Sequence, residues 1–334
     1  GPIFTVLAAR GRVLLTTADG TLYCFGPEVS QDPLVHDERA GFVGRAAVFP
    51  PPDGERGAAI VRRAAAIGGG YALFLGVGDG ELMETVARRT ELHLVGVDPD
   101  REKLEALRRH FDDAGLYGTR IALLPGRAAD LKYPPYISSL IVVEDPAACG
   151  LSNDEVYELL RPYGGVAFVG DDVLVREGPL PDAGQWTHQY ADAARSAVSR
   201  DDRVRLPLGL LWYGTVSNNN VLPRHAAGPR PQVAGGRLAI LGVECIGARD
   251  VYTGRELWVR SFPGVGHPFT NLELEEKWRA GEDVYMSNIP GAAYIGSPYV
   301  TLPDSIYLRY RGRIHRLDAA TGETLAEFPL YPEG

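Results

Sequence analysis

Three cysteines are all that this 334-residue chain carries, and Cys24, Cys149 and Cys245 stand far apart in it. An odd, isolated set fits neither a disulfide framework nor a zinc site, whose thiolate ligands come in close pairs, so all three are read as core-packing side chains. His188, His225, His267 and His315 are equally scattered. They lack metal-ligand spacing, so packing or turn roles are assigned to them and no metal is expected. No run approaches the ~20 uncharged apolar residues that cross a bilayer, because glycine and charge break every apolar stretch, so no membrane span is expected. Positive charge is short as well: the formal net charge is −9. Such a field repels phosphate backbones, which excludes nucleic acid as an expected partner. A starting methionine is also missing. The chain opens at Gly1 on strand-like sequence, which fits a processed terminus or a piece of a longer protein and would hide any signal peptide.

What is present falls into zones. The length suits two folding units better than one core. Residues Thr5 to Phe25 read as short apolar strands broken at Ala18-Asp19-Gly20, a hairpin-type turn. From Glu28 the sequence turns polar and ends in Pro50-Pro51-Pro52, which sustains neither helix nor ladder. From Gly54 the period changes to strand–helix alternation. Ile60, Val61, Ala64 and Ala65 mark a helical face, Tyr71–Leu75 a strand, and Leu82 and Val86 a second helix. Strands His93–Val97, Ile121–Leu124, Leu140–Val143 and Val166–Val169 follow, with helices Arg101–Ala114 and Asp154–Leu160 between them. That makes five strands. From Trp186 to Pro329 the sequence returns to short strands and turns.

The chemistry-bearing stretch is Leu73-Phe74-Leu75-Gly76-Val77-Gly78-Asp79-Gly80, placed between a strand and a helix where backbone amides and the helix dipole can receive a nucleotide. Glu81 stands where a dinucleotide fingerprint needs its third glycine, so the spacing is G-x-G-x-G. Asp98 ends the next strand, ~20 residues after Gly78, where a carboxylate can accept both ribose hydroxyls. The turn Pro125-Gly126-Arg127, the run Leu140 to Pro146 and Leu159-Leu160-Arg161-Pro162-Tyr163-Gly164-Gly165 follow in order. This ordered set resembles the class I S-adenosylmethionine-dependent methyltransferases over about a third of the chain. The resemblance implies S-adenosylmethionine as cofactor, with Gly76, Gly78, Gly80, Asp98, Gly126 and Arg127 as its contacts. Glu144 and Asp145, at the carboxyl edge of the fourth strand, are the candidate catalytic residues. Three departures stand out: Phe74 where the family carries an acid, Arg127 where it often carries Asp, and little room after Val169 for the antiparallel strand pair that completes the fold. Each feature also has a plainer reading: a tight strand-to-helix turn for the glycines, a helix cap before Arg101 for Asp98, and a turn for Asp145-Pro146.

A repeat links the flanking zones. Asp250-Val251-Tyr252-Thr253-Gly254-Arg255-Glu256-Leu257 matches Asp318-Ala319-Ala320-Thr321-Gly322-Glu323-Thr324-Leu325. Thr-Gly makes the turn between two strands, and the Leu257-Trp258 that follows drops an apolar ring between neighbouring sheets, with Leu211-Trp212 a second such end. Trp212 and Trp258 lie close to one propeller-blade period of roughly 40–50 residues apart, and a loop over Gly266–Pro298 lengthens the next interval. These elements resemble the pyrroloquinoline-quinone-type (PQQ-like) β-propeller repeat, whose front half Gly11–Phe25 also resembles.

The expected fold class is α/β plus β: a Rossmann-like methyltransferase-type domain, truncated at about five strands, plus partial β-propeller blades. The expected divisions are 1–28 blade, 29–51 linker, 52–170 Rossmann-like domain, 171–185 linker and 186–334 blades, with further blades from a longer native chain. Three functional readings follow: a methyltransferase of unknown acceptor, an inactive scaffold for an unknown protein or small-molecule partner, and a quinoprotein oxidoreductase. The third lacks the adjacent cysteine pair of the quinone dehydrogenases, so pyrroloquinoline quinone is not expected as a cofactor. A cytoplasmic location goes with S-adenosylmethionine, a periplasmic or exported one with the propeller.

Overall fold

The computed structural model describes residues 3–17, 21–27, 54–213, 230–242, 244–265, 277, 280–282 and 297–330. The stretch 28–53, which holds the expected linker and the triple proline, lies outside them, as do Ala18-Asp19-Gly20, His225, His267 and most of Gly266–Pro298. Residues 1–43 form one compact unit and 44–334 a second.

In the first unit β1 (Ile3–Ala9), β2 (Arg12–Thr17) and β3 (Leu22–Phe25) form an antiparallel sheet in chain order. Arg10 and Gly11, both at positive φ, make the first turn. The apolar side chains of β1 and β3 stand exposed, among them Ile3, Phe4, Leu22 and Phe25. Cys24 is exposed with them, so only Cys149 and Cys245 pack in the way the sequence reading assigns to all three.

In the second unit, α1 (Glu55–Ile67), β4 (Gly69–Leu75), α2 (Glu81–Arg89), β5 (Glu91–Asp98), α3 (Arg101–Asp113), β6 (Ile121–Pro125), β7 (Ser138–Val143), α4 (Pro146–Cys149), α5 (Asn153–Leu159), β8 (Gly165–Val169) and β9 (Asp172–Arg176) build a Rossmann-like domain. Its sheet runs β6-β5-β4-β7-β8-β9. The first five of these strands are parallel, and β9 returns antiparallel to β8. The sheet therefore has six strands rather than five. Asp172–Arg176 lies in the expected linker 171–185; its alternation Val173, Val175 reads as an exposed edge, and Gly170 at φ +57° supplies the turn into it. The antiparallel completion is thus one strand beside β8.

The strands are apolar on both faces because both are covered. Ala72, Phe74, Leu92, Leu94, Leu140 and Val142 pack under α1, α2 and α3; Leu73, Leu75, Val97, Ile141 and Val143 face α4 and α5. Chain order reverses at β4, from which β5 and β6 run outward one way and β7 and β8 the other. Such a switch point opens a crevice at the carboxyl ends of the strands.

Two antiparallel four-stranded sheets follow: β10 (Gln232–Ala234), β11 (Arg237–Gly242), β12 (Cys245–Asp250) and β13 (Glu256–Ser261), then β14 (Tyr299–Thr301), β15 (Ser305–Tyr310), β16 (Arg313–Asp318) and β17 (Thr324–Pro329). They share a core of Leu241, Ile246, Tyr299, Ile306, Leu308 and Leu317. Buried Gln232 links β10 to β14, donating to the Tyr299 carbonyl at 2.8 Å and accepting from the Thr301 amide at 2.9 Å.

Candidate functional site

Three strand ends converge at the switch point. The loop after β4 needs glycine for separable reasons. Gly76, at φ +88°, is tied to β5 by its amide on the Val97 carbonyl (2.8 Å), and a Cβ there would stand 3.1 Å from the Glu144 Cβ. Gly78 (φ +55°) has nothing within 4 Å of where its Cβ would be. It faces open space. Gly80 (φ +91°) is the N-cap of α2 and has no side chain to cap it; the Asp79 carboxylate beside it accepts from the Glu81 amide at 3.1 Å. The amides of Gly78 and Asp79 have no acceptor among the described residues. Two uncommitted N–H groups ahead of a helix N-terminus suit an anionic or polar ligand.

Asp98 ends β5 and is only 4% exposed. Its Oδ2 accepts from the Val77 amide at 3.3 Å and from the Lys103 ammonium at 2.6 Å; its Oδ1 accepts from the Asp100 amide at 2.9 Å. Burial pushes the carboxyl pKa up, but the Lys103 hydrogen bond and the two amides outweigh it and hold Asp98 below its ordinary value. Asp98 is not the helix cap. That role belongs to Asp100, which accepts from the Lys103 amide at 3.0 Å. Gly126 joins the same corner, its amide donating to the Asp98 carbonyl at 3.0 Å. Arg127 is exposed just before the short 3-10 turn Ala128–Asp130.

Glu144 follows β7, hydrogen-bonded by its amide to the Leu75 carbonyl (3.1 Å), so it lies beside Gly76. Arg56, from α1, reaches across this edge. It donates to the Val143 carbonyl at 2.9 Å and the Gly170 carbonyl at 3.1 Å, and pairs with Glu144 at 3.3 Å. Asp145, the other catalytic candidate, caps α4 by accepting from the amides of Ala147 (2.9 Å) and Ala148 (3.1 Å). Its geometry is that of the turn reading. Phe74, at the family's acidic position, is buried in the core. Among the described residues there is no cluster of metal-ligating side chains and no helix long and apolar enough to cross a membrane.

Sequence reading missed Lys103, Arg56 and Glu84. Glu84, 1% exposed on α2, pairs with Arg88 at 2.7 Å and His110 at 2.8 Å, clamping α2 to α3. A charged residue on the buried face of an otherwise amphipathic helix was the available signal.

No protein-family model and no curated protein matches the chain. Among solved structures it is similar to an S-adenosylmethionine-dependent methyltransferase from Thiobacillus denitrificans in complex with S-adenosyl-L-homocysteine, at 21% identity over 39% of this chain and 51% of that one, with a TM-score of 0.30. It is also similar to geranyl diphosphate methyltransferase in complex with SAM, at 15% identity over 34% of this chain and 46% of that one, with the same TM-score of 0.30. The chain spans about half the length of each.

Proposed function

We propose that the Rossmann-like domain binds S-adenosylmethionine at the carboxyl edge of β4 and β5 and serves transfer of its methyl group to an acceptor not yet identified. One observation carries the reading: an open glycine loop with two uncommitted amides stands against a buried, ionised Asp98 at the switch point of the sheet. In this reading Gly76, Gly78 and Gly80 let the methionine part of the cofactor approach the backbone, Asp98 takes the ribose hydroxyls, and Gly126 and Arg127 border the adenine side. The cofactor supplies an electrophilic methyl; the chain's own part is to orient an acceptor's nucleophile against it. In this reading that task falls to Glu144, which pairs with Arg56 at the edge, and Asp145 only caps the turn behind it.

A second reading is favoured by Phe74 and Arg127: a domain that no longer performs chemistry and serves as an interaction scaffold between propeller blades. The flanking β segments, 1–28 and 186–334, are proposed as PQQ-like blades of a longer propeller into which the Rossmann-like domain is inserted.

Isothermal titration with S-adenosylhomocysteine separates the readings. The first expects saturable heat from the parent and none from Gly78→Val, whose side chain fills the open space and strains the φ +55° backbone while thermal unfolding stays cooperative. An absence of heat from the parent refutes cofactor binding.

A further inference from the structure

The partners of Asp98 point to a device in the same corner. We propose that Lys103 is a built-in competitor for the ribose site, and that a ligand carrying a vicinal diol must displace its ammonium from Asp98 to bind. The inference rests on the cofactor reading above and deepens it.

A carboxylate offers about four lone-pair directions. On Asp98 three are taken: Asp100 holds Oδ1, while Val77 and Lys103 share Oδ2. The two amides belong to the fold, since the Val77 amide lies in the turn after β4 and the Asp100 amide opens α3. They cannot leave without unmaking those turns. A diol that hydrogen-bonds Asp98 through both hydroxyls needs two acceptor directions, and one remains. Lys103 is the partner that can move, because its side chain is 35% exposed and ends a flexible stem. Its site on α3 is set by the Asp100 cap, which turns the first helical turn back towards the strand end. Empty, the site is neutralised by its own lysine; occupied, the lysine is released to solvent.

The consequence runs opposite to ordinary loss of a site residue: removing Lys103 tightens binding. In titrations with S-adenosylhomocysteine, Lys103→Met is expected to bind about tenfold more tightly than the parent, the scale of one charge-assisted hydrogen bond. Lys103→Arg, which keeps a competing cation, stays near the parent. Competition with adenosine should show the same gain, and competition with 2′,3′-dideoxyadenosine should not, because that analogue has no diol to displace the lysine. Equal or weaker binding of S-adenosylhomocysteine by Lys103→Met, with the parent still binding, overturns the inference and leaves the cofactor reading standing; a gain that persists with the dideoxy analogue does the same. No binding by parent and variants alike removes both.

Discussion

Asp98 is buried, ionised and already hydrogen-bonded, and two effects of replacing it can be told apart. Loss of its hydrogen bonds to a ribose should weaken S-adenosylhomocysteine binding by about 1–3 kcal/mol in Asp98→Ala. Undiminished affinity would remove Asp98 from the site. Its pKa makes a separate claim. Because the folded value lies below the unfolded one, Asp98 contributes stability that is fully present above pH ~4 and is lost as pH falls through the lower folded value. Asp98→Asn should therefore flatten the acid limb of a melting-temperature profile taken from pH 6 to pH 2; an acid limb identical to the parent's contradicts it. At this scale the sequence was only partly legible. That the glycine loop and Asp98 sit at neighbouring strand ends could be read, because position there depends on local backbone and spacing; what they bind is the proposal above. Arg56 and Glu144 are far apart in sequence and meet only when α1 crosses the sheet edge, so no local pattern announces the pair. Lys103 was nearer to hand. A lysine in the first turn of a helix, which an N-terminal dipole disfavours, is a hint that an acid lies within reach.

The repeat is the clearest device at the scale of elements. In both turns the aspartate side chain receives the next two free amides, Tyr252 and Thr253 on Asp250 and Ala320 and Thr321 on Asp318, at 2.8–3.2 Å. In both, the glycine amide returns to the aspartate carbonyl at 2.8 Å. Each turn also receives a tryptophan. Trp212 donates to the Val251 carbonyl at 2.8 Å and lies over Gly254; Trp258 donates to the Ala319 carbonyl at 3.1 Å and lies over Gly322. A Cβ on Gly322 would fall 2.6 Å from the Trp258 ring, at a φ of +74° that side chains avoid. Gly322→Ala is expected to cost about 2–4 kcal/mol in denaturant unfolding, overpacking adding to backbone strain. Gly312→Ala, at φ +73° but with nothing within 4 Å, should cost only the backbone part, about 1 kcal/mol. Equal costs would mean that the tryptophan does not seat on the turn. The two parts, Thr-Gly as a turn and Leu-Trp as a buried ring, were readable because each is local; that the ring seats on another repeat's turn was not, because it joins residues 39 and 61 apart in sequence. The sixth strand was not, because Asp172–Arg176 follows β8 through a two-residue turn and its exposed valines look like linker sequence.

Within the second unit the Rossmann-like domain and the sheets are joined by an ion pair between a partly buried arginine and a buried aspartate. Arg161, in the Leu160–Gly165 turn, donates to the carboxylate of Asp250, which is 2% exposed and also holds its own turn together. Removing one partner strands the other charge, so Asp250→Ala should destabilise by about 3–5 kcal/mol and split calorimetric unfolding into separate domain and sheet transitions. A single transition at the parent temperature would show that the pair does not couple them. In chain order this domain falls between the three-stranded sheet of residues 3–25 and a segment whose Trp212 seats on the Asp250 turn as Trp258 of β13 seats on the next. The change of period at Gly54 made the strand–helix alternation of this stretch legible in the sequence. The tie to the sheets was hidden, because Arg161 and Asp250 belong to different motifs, each with a sufficient local explanation.

The central claim, a nucleoside cofactor bound at the carboxyl edge of β4 and β5, is tested most directly by a crystal structure of the protein soaked with S-adenosylhomocysteine. The account predicts ligand density over Gly76–Gly80, both ribose hydroxyls on Asp98, and the Lys103 ammonium turned away to solvent. Density elsewhere, or an Asp98 still paired with Lys103 beside an empty loop at saturating ligand, would contradict it.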